Sequence, residues 1–295
     1  MQNLSHNVRG IIYMVLAAGT FVTNDTFLKL ATETLPPFQA LFLRGVSAAL
    51  WCLPLVMMTG NLRRLPMTLH GWVLVRNLSE TLAVLCFIIA LKHVALADIT
   101  AINMTAPLLL LLGCSIFFGE RIGAVRSALV VVGFLGALTV AQPSGEGASP
   151  YLLLGFVCAF GGAGRDLAGR KIGGHVPTVV VTYATILTVM VCAGVAHLLF
   201  EVWQQPSSQA LLFVAGAGLF LACGQFFLFL SYRTGATGAV APFIYTFALW
   251  AVISGVVVFG TLPNPLALFG IMLIVASGVA IVTLDGRKRR LAVTT

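Results

Sequence analysis

The sequence predicts an all-α integral membrane protein whose ten transmembrane helices form two inverted five-helix repeats. Three observations predict it. Hydrophobic residues make up 59% of the 295-residue chain and charged residues 9%, against roughly 25% charged in ordinary soluble domains. A chain this apolar cannot hide its surface from water. Its apolar segments each approach the ~20 residues needed to cross a hydrocarbon core. An ungapped shift of 141 residues then lays Asp25 on Asp166, Lys29 on Arg170, Pro36 on Pro177, Lys92 on Arg233 and Gly119 on Gly260. Each copy holds an odd number of apolar segments, so the second enters the membrane from the opposite side. Inverted repeats of this kind are built for alternating access.

The spans fall at 10–30, 38–58, 72–91, 98–117, 124–141, 151–171, 178–200, 210–231, 239–260 and 265–284. Turn-forming residues punctuate them: Pro36-Pro37, Gly60-Asn61, Pro206-Ser207-Ser208 and Pro263-Asn264-Pro265. The first span follows Arg9 as a secretory signal would, but it carries Asp25 and Lys29 and has a partner in the second copy, so it reads as a retained helix. Residues 10–141 form the first repeat, the Gly-, Ser- and Pro-rich stretch 142–150 the linker, 151–284 the second repeat, and 285–295 a basic tail.

Basic residues orient the bundle. With the N-terminus inside, Arg9, Arg63, Arg64, Arg121, Arg126, Arg170, Lys171, Arg233, Arg287, Lys288, Arg289 and Arg290 all fall on the cytoplasmic side, and only Lys29 and Lys92 outside. Both termini are therefore expected in the cytoplasm. This bias also accounts for the net charge of +8. The Arg287–Arg290 run beside a span suits anionic lipid headgroups, and no nucleic-acid partner is expected.

Polar residues inside spans carry the candidate chemistry, since a charge at the bilayer centre costs about 2.5–3.5 kcal/mol on insertion scales. Asp25 and Lys29 share a helix face one turn apart, and Asp166 and Arg170 repeat the spacing. Inversion puts the first pair toward the outside and the second toward the cytoplasm, where alternating gates belong. Snorkelling of the basic partners to the headgroups is the bland alternative. Arg76 and Glu80 form a further i,i+4 pair, expected to hold helices together. Arg44 is free to meet Asp25 or a substrate carboxylate. Asn24, Asn77, Asn103, Gln225, Tyr245 and Trp250, with Thr105, are the candidate substrate-binding set. Each such amide needs a partner, either a neighbouring helix or a hydrated cavity. Pro107 and Pro242 interrupt the backbone ladder of the fourth and ninth spans.

Other motifs read as structure. Gly164, Gly169 and Arg170 mimic a phosphate loop, but the required Lys-Ser/Thr and preceding strand are missing. Gly161-Gly162-Ala163-Gly164 suits close helix packing instead. The six cysteines and five histidines show no metal or catalytic spacing, so neither an enzyme nor a resident cofactor or metal is expected.

Ten spans in two copies, with Pro107 and then Phe118-Gly119-Glu120 closing the fourth, resemble the EamA family of the drug/metabolite transporter superfamily. The second copy departs from that pattern: Thr261 follows Gly260, and Pro242 is not at the position matching Pro107. The resemblance implies a bacterial inner-membrane exporter of amino acids and related small metabolites, most similar to the YddG-type aromatic amino acid exporters. A multidrug or cofactor/vitamin transporter of the same fold is the alternative, and a membrane receptor or enzyme a remote one. The expected partners are a small-molecule substrate and membrane lipid; oligomeric state is open, with a monomer compatible with all of the above.

Overall fold

The computed structural model describes residues 2–58, 71–118, 123–141, 149–169, 171–172, 176–235 and 240–294. Among these the regular structure is entirely helical. The α-helices are α1 (Gln2–Ala31), α2 (Pro37–Met58), α3 (Gly71–His93), α4 (Leu96–Asn103), α5 (Ala106–Phe118), α6 (Ala124–Ala141), α7 (Leu153–Gly169), α8 (Thr178–Phe200), α9 (Ser208–Thr234), α10 (Thr246–Phe259) and α11 (Pro265–Thr294). Short 3-10 turns, Pro150–Leu152 and Ala241–Tyr245, lead into α7 and α10. Seven helical stretches are long and apolar enough to cross a membrane, α4 and α5 counting as one; three shorter apolar ones are Ser127–Val140, Phe243–Phe259 and Pro265–Ala280. The segment expected as a tail continues α11 as helix through Thr294.

Helices pair across the halves. The most extensive contacts are α1 with α9, α3 with α7, α2 with α8, and α6 with α11. Each pair is antiparallel. Along α1 and α9, Tyr13 stacks on Phe227 and Phe27 meets Phe213 and Phe220. Glycines let these backbones approach, as expected where the lipid is as apolar as the helix. A Cβ on Gly161 of α7 would meet the Ser79 carbonyl of α3 at 2.9 Å, so the glycine-rich run is a packing face. A Cβ on Gly270 of α11 would reach the Gly136 carbonyl of α6 at 2.5 Å. In contrast, α1 and α10 run parallel: Phe21 stacks on Phe247, Thr26 Oγ1 lies 2.5 Å from Ser254 Oγ, and Lys29 sits over Phe259.

Two spans expected to be continuous are broken. Between α4 and α5 the chain turns at Met104–Thr105, and α10 opens with a 3-10 segment. Pro107 lacks an N–H and so is tolerated in the first turn of the new helix α5. The hydroxyls of Thr105 and Thr246, matched at the 141 offset, both donate to the carbonyl three residues back, Ile102 and Phe243, at 2.7 Å. Such back-bonding competes with the helical ladder and bends it. The prolines differ between the copies, but the break falls at one place. α10 ends on Gly260, whose φ of 62° is the left-handed conformation glycine adopts without strain. Its counterpart Gly119 lies outside the described residues.

At one end of the bundle a clamp joins α2 to α8. Glu201 accepts hydrogen bonds from the Phe38 amide on Oε1 and the Gln39 amide on Oε2, both at 3.0 Å, and Oε2 also lies 3.0 Å from His197 Nδ1. The carboxylate satisfies two orphan donors of the α2 N-terminus and complements its dipole. Gln39, fully buried, bonds the Gln204 backbone with both ends of its amide.

Candidate functional site

The charged side chains inside the bundle gather where the halves meet. Arg165 of α7 reaches across to α3, its Nη1 2.9 Å from Glu80 Oε2, while its Nε lies 2.7 Å from Asp166 Oδ1. The small residues of α7 bring the two backbones close enough for this contact. The within-helix Arg76–Glu80 pair expected from spacing is therefore not the one made. Arg76 instead donates to Thr185 Oγ1 of α8 at 2.7 Å and to Asn77 Oδ1 at 3.4 Å. The Thr185 hydroxyl also lies 2.7 Å from Asn77 Oδ1. Asn77, 1% exposed, thus joins α3 to α8.

Asp25 does not pair with Lys29 either. Its Oδ1 accepts from Asn24 Nδ2 at 2.8 Å, and the positive charge acting on it is that of Arg44 in α2. Lys29 turns outward and caps α3: Nζ donates to the Leu91 carbonyl at 3.0 Å and to that of Val94. A cation at a helix C-terminus complements the carbonyl end of the dipole. Asp98 of α4 is the acid whose charge acts most on it, and Asp98 Oδ1 is buried without a hydrogen-bond partner. Lys29 is therefore a joint between α1, α3, α4 and α10. Arg170 lies outside the described residues, so the expected Asp166–Arg170 pair cannot be placed.

Cys158 of α7 donates to Asn103 Oδ1 at 3.3 Å, and the charges of Glu80, Arg165 and Asp25 all act on its thiol. Asn103, Glu80, Arg165 and Asp25 thus surround one interior region drawn from α1, α3, α4 and α7. Arg44 bridges electrostatically between Asp25 and Glu80. Asp25, Glu80 and Asp166 are matched one for one by Arg44, Arg76 and Arg165. The layer is charge-balanced, which keeps its desolvation cost bearable inside a membrane.

The aromatic candidates separate. The Tyr245 ring covers Gly278 of α11, where an added Cβ would come 1.9 Å from its Cζ. That makes Tyr245 a packing residue between α10 and α11. Trp250 stands against Gly19 of α1, with Nε1 3.4 Å from the position of an added Cβ, and this indole N–H is buried without a partner. The geometry reverses the order in which chemistry alone ranks the two. Asn24 Oδ1 is also buried and unpartnered, and Gln225 is half-buried on α9, linked to the charged layer by no hydrogen bond among the described residues. A separate open cavity of about 370 Å³ lies at the end of the bundle that holds the α2–α8 clamp, lined by Glu33, Thr34, Leu35, Pro36, Pro37, Lys92, Glu201, Val202 and Gln204.

Arg165, Thr185 and Asp98 are the residues that spacing does not single out. Arg165 adjoins Asp166, and neighbours on a helix point about 100° apart, so an i,i+1 ion pair is not anticipated. Its charge deep within an apolar span was the available signal.

Seven helical stretches able to cross a membrane, with helices paired across the two halves around a charged interior layer, make this a multi-pass membrane protein. Residues 8–142 match the EamA-like transporter family, the family that the sequence resembles. It is 29% identical to a riboflavin transporter of Rhizobium johnstonii over 97% of this chain and 95% of that one. Identity is 27% to a pseudopaline exporter of Pseudomonas aeruginosa (92% and 95% covered) and 26% to an S-adenosylmethionine uptake transporter of Rickettsia conorii (92% of each). The fold matches a solved crystal structure at a TM-score of 0.65 and 22% identity, covering 93% of this chain and 98% of that one.

Proposed function

We propose that the protein is an alternating-access transporter of small polar metabolites of cofactor or vitamin type in a bacterial inner membrane. The observation that carries this reading is the charge-balanced layer at the seam of the halves, where a rocking motion would open it to one side and then the other. Relatives spanning nearly the whole chain, named for riboflavin and S-adenosylmethionine, support the cargo class. Ten crossings in two inverted repeats form part of the proposal. The cross-half pairing and the matched breaks at Thr105 and Thr246 support it. Export of amino acids, the substrate expected from the sequence resemblance, is the second reading. Equal numbers of acids and arginines in one interior region favour it, because a zwitterion offers a partner to each sign.

Flux of labelled riboflavin, S-adenosylmethionine and phenylalanine in proteoliposomes, loaded inside or outside, tests both readings. Trp250→Phe, which removes the unpartnered indole donor, should lower flux of the preferred cargo about fivefold or more, on the order of one hydrogen bond. Tyr245→Phe, which leaves the ring over Gly278, should change it little. The opposite order would return Tyr245 to the binding surface, and no flux of any cargo in either direction would count against the transporter reading of this layer.

A further inference from the structure

Arg44 is the least satisfied charge in the interior. Its residue is 7% exposed, its Nε is fully buried without a hydrogen-bond partner, and no ion pair or hydrogen bond among the described residues engages its guanidinium. Arg165 differs, having donors committed to both Glu80 and Asp166. The acids acting on Arg44 are Asp25 from α1 and Glu80 from α3, neither within ion-pair distance. A guanidinium is a rigid fork of five donors shaped for two parallel bonds to a planar acceptor pair, and leaving it buried and unpaired is costly. At the 141 offset the second half carries Thr185, a hydroxyl where the first half has this cation.

We propose that Arg44 is the substrate anchor, binding a carboxylate of the transported molecule through two N–H···O bonds; this rests on the transporter reading above. A carboxylate fits better than a phosphate dianion because Asp25 and Glu80 are close enough for like-charge repulsion to grow with each added negative charge. Asp25, whose printed hydrogen bond is a single one from Asn24, retains acceptor capacity for an ammonium group on the same molecule. The cargo class is therefore the monocarboxylates, above all those with an α-amino carboxylate head. Because Thr185 cannot replace the cation, the site holds its cargo in one orientation.

The full chain in lipid nanodiscs, titrated with benzoate and with uncharged benzamide, tests this by thermal shift. Benzoate should stabilise the wild type and benzamide should not. Arg44→Gln should weaken benzoate at least tenfold, and Arg44→Lys, which keeps the charge but loses the fork, by an intermediate factor. Asp25→Asn removes a competing carboxylate and should tighten benzoate several-fold, a change that mere packing damage would not produce. If Arg44→Gln does not fold, the Lys and Asn variants decide. Equal effects of benzoate and benzamide, no benzoate binding to the wild type, or benzoate affinity unchanged in Arg44→Lys would overturn the anchor. Benzoate binding that depends on Arg44 without flux of any cargo would instead remove the transporter reading and leave the anchor standing.

Discussion

Arg165→Met should be among the most damaging single substitutions in the chain. It removes the charge that both Glu80 and Asp166 face, leaving two carboxylates inside the bundle without it. Exposed pairs contribute ~0.2–1 kcal/mol, whereas breaking a fully buried one costs ~3–5 kcal/mol. The side chains of Arg165, Glu80 and Asp166 keep 32%, 21% and 37% of their surface accessible, which places this layer between those limits. A loss of about 2–3 kcal/mol is expected, measured by thermal or denaturant unfolding in detergent. Adding Glu80→Gln to Arg165→Met removes one stranded charge and should recover about half of the loss. If Arg165→Met unfolds with wild-type stability, the Arg165–Glu80 pair contributes nothing to holding α3 on α7.

Lys29→Met should have an effect of comparable size, at the end of the bundle where α3 stops. The ammonium bonds the Leu91 and Val94 carbonyls, lies 5.4 Å from the Phe259 ring centroid and faces the charge of Asp98. Charge-assisted hydrogen bonds are each worth about 1.5–3 kcal/mol net, and a half-buried cation–π contact adds about 0.5–1 kcal/mol. Because Lys29 is only half-buried, solvent screens part of this, and the replacement should cost about 2–4 kcal/mol and increase thiol labelling of single cysteines introduced near Val94. Lys29→Met with Asp98→Asn should be more stable than Lys29→Met alone, because the double variant no longer leaves a buried carboxylate without its cation. Equal stability of the single and double variants would show that Asp98 does not depend on this lysine.

Much of the bundle was legible because its signal is periodic and long. The spans expected at 38–58, 72–91 and 178–200 coincide with α2, α3 and α8 to within a few residues, whereas α1 begins at Gln2 and α11 runs on to Thr294, both well beyond the spans expected there. The breaks at Thr105 and Thr246 were only half legible. Pro107 and Pro242 flagged disturbed backbone, but a threonine hydroxyl bonding back to its own helix leaves no mark in hydropathy. The pairing of the charged side chains was less legible. Asp25, Arg44, Glu80 and Asp166 do sit in the interior, yet i,i+4 spacing pointed to partners within one helix. Arg76 and Lys29 satisfy themselves on other helices, because long side chains in a bundle choose among all neighbours within reach. On chemistry alone the hydroxyl of Tyr245 makes it the better candidate than Trp250, and the Gly278 surface that the tyrosine covers, on a helix far along the chain, leaves no mark in its own span.

Because the extensive interfaces pair a helix from each half, the manner of synthesis is constrained as well. α1 meets its principal partner α9 about 180 residues later, an interval of roughly 9–35 s at translation rates of 5–20 residues per second. Through that interval the first five spans sit in the bilayer with Asp25, Arg44 and Glu80 lacking the helices that will enclose them. Nascent chains at this stage are natural clients for insertion chaperones that shield polar faces. The same logic implies that the two halves, made as separate polypeptides cut within the linker, should find each other in the membrane and assemble, while either half alone should be degraded.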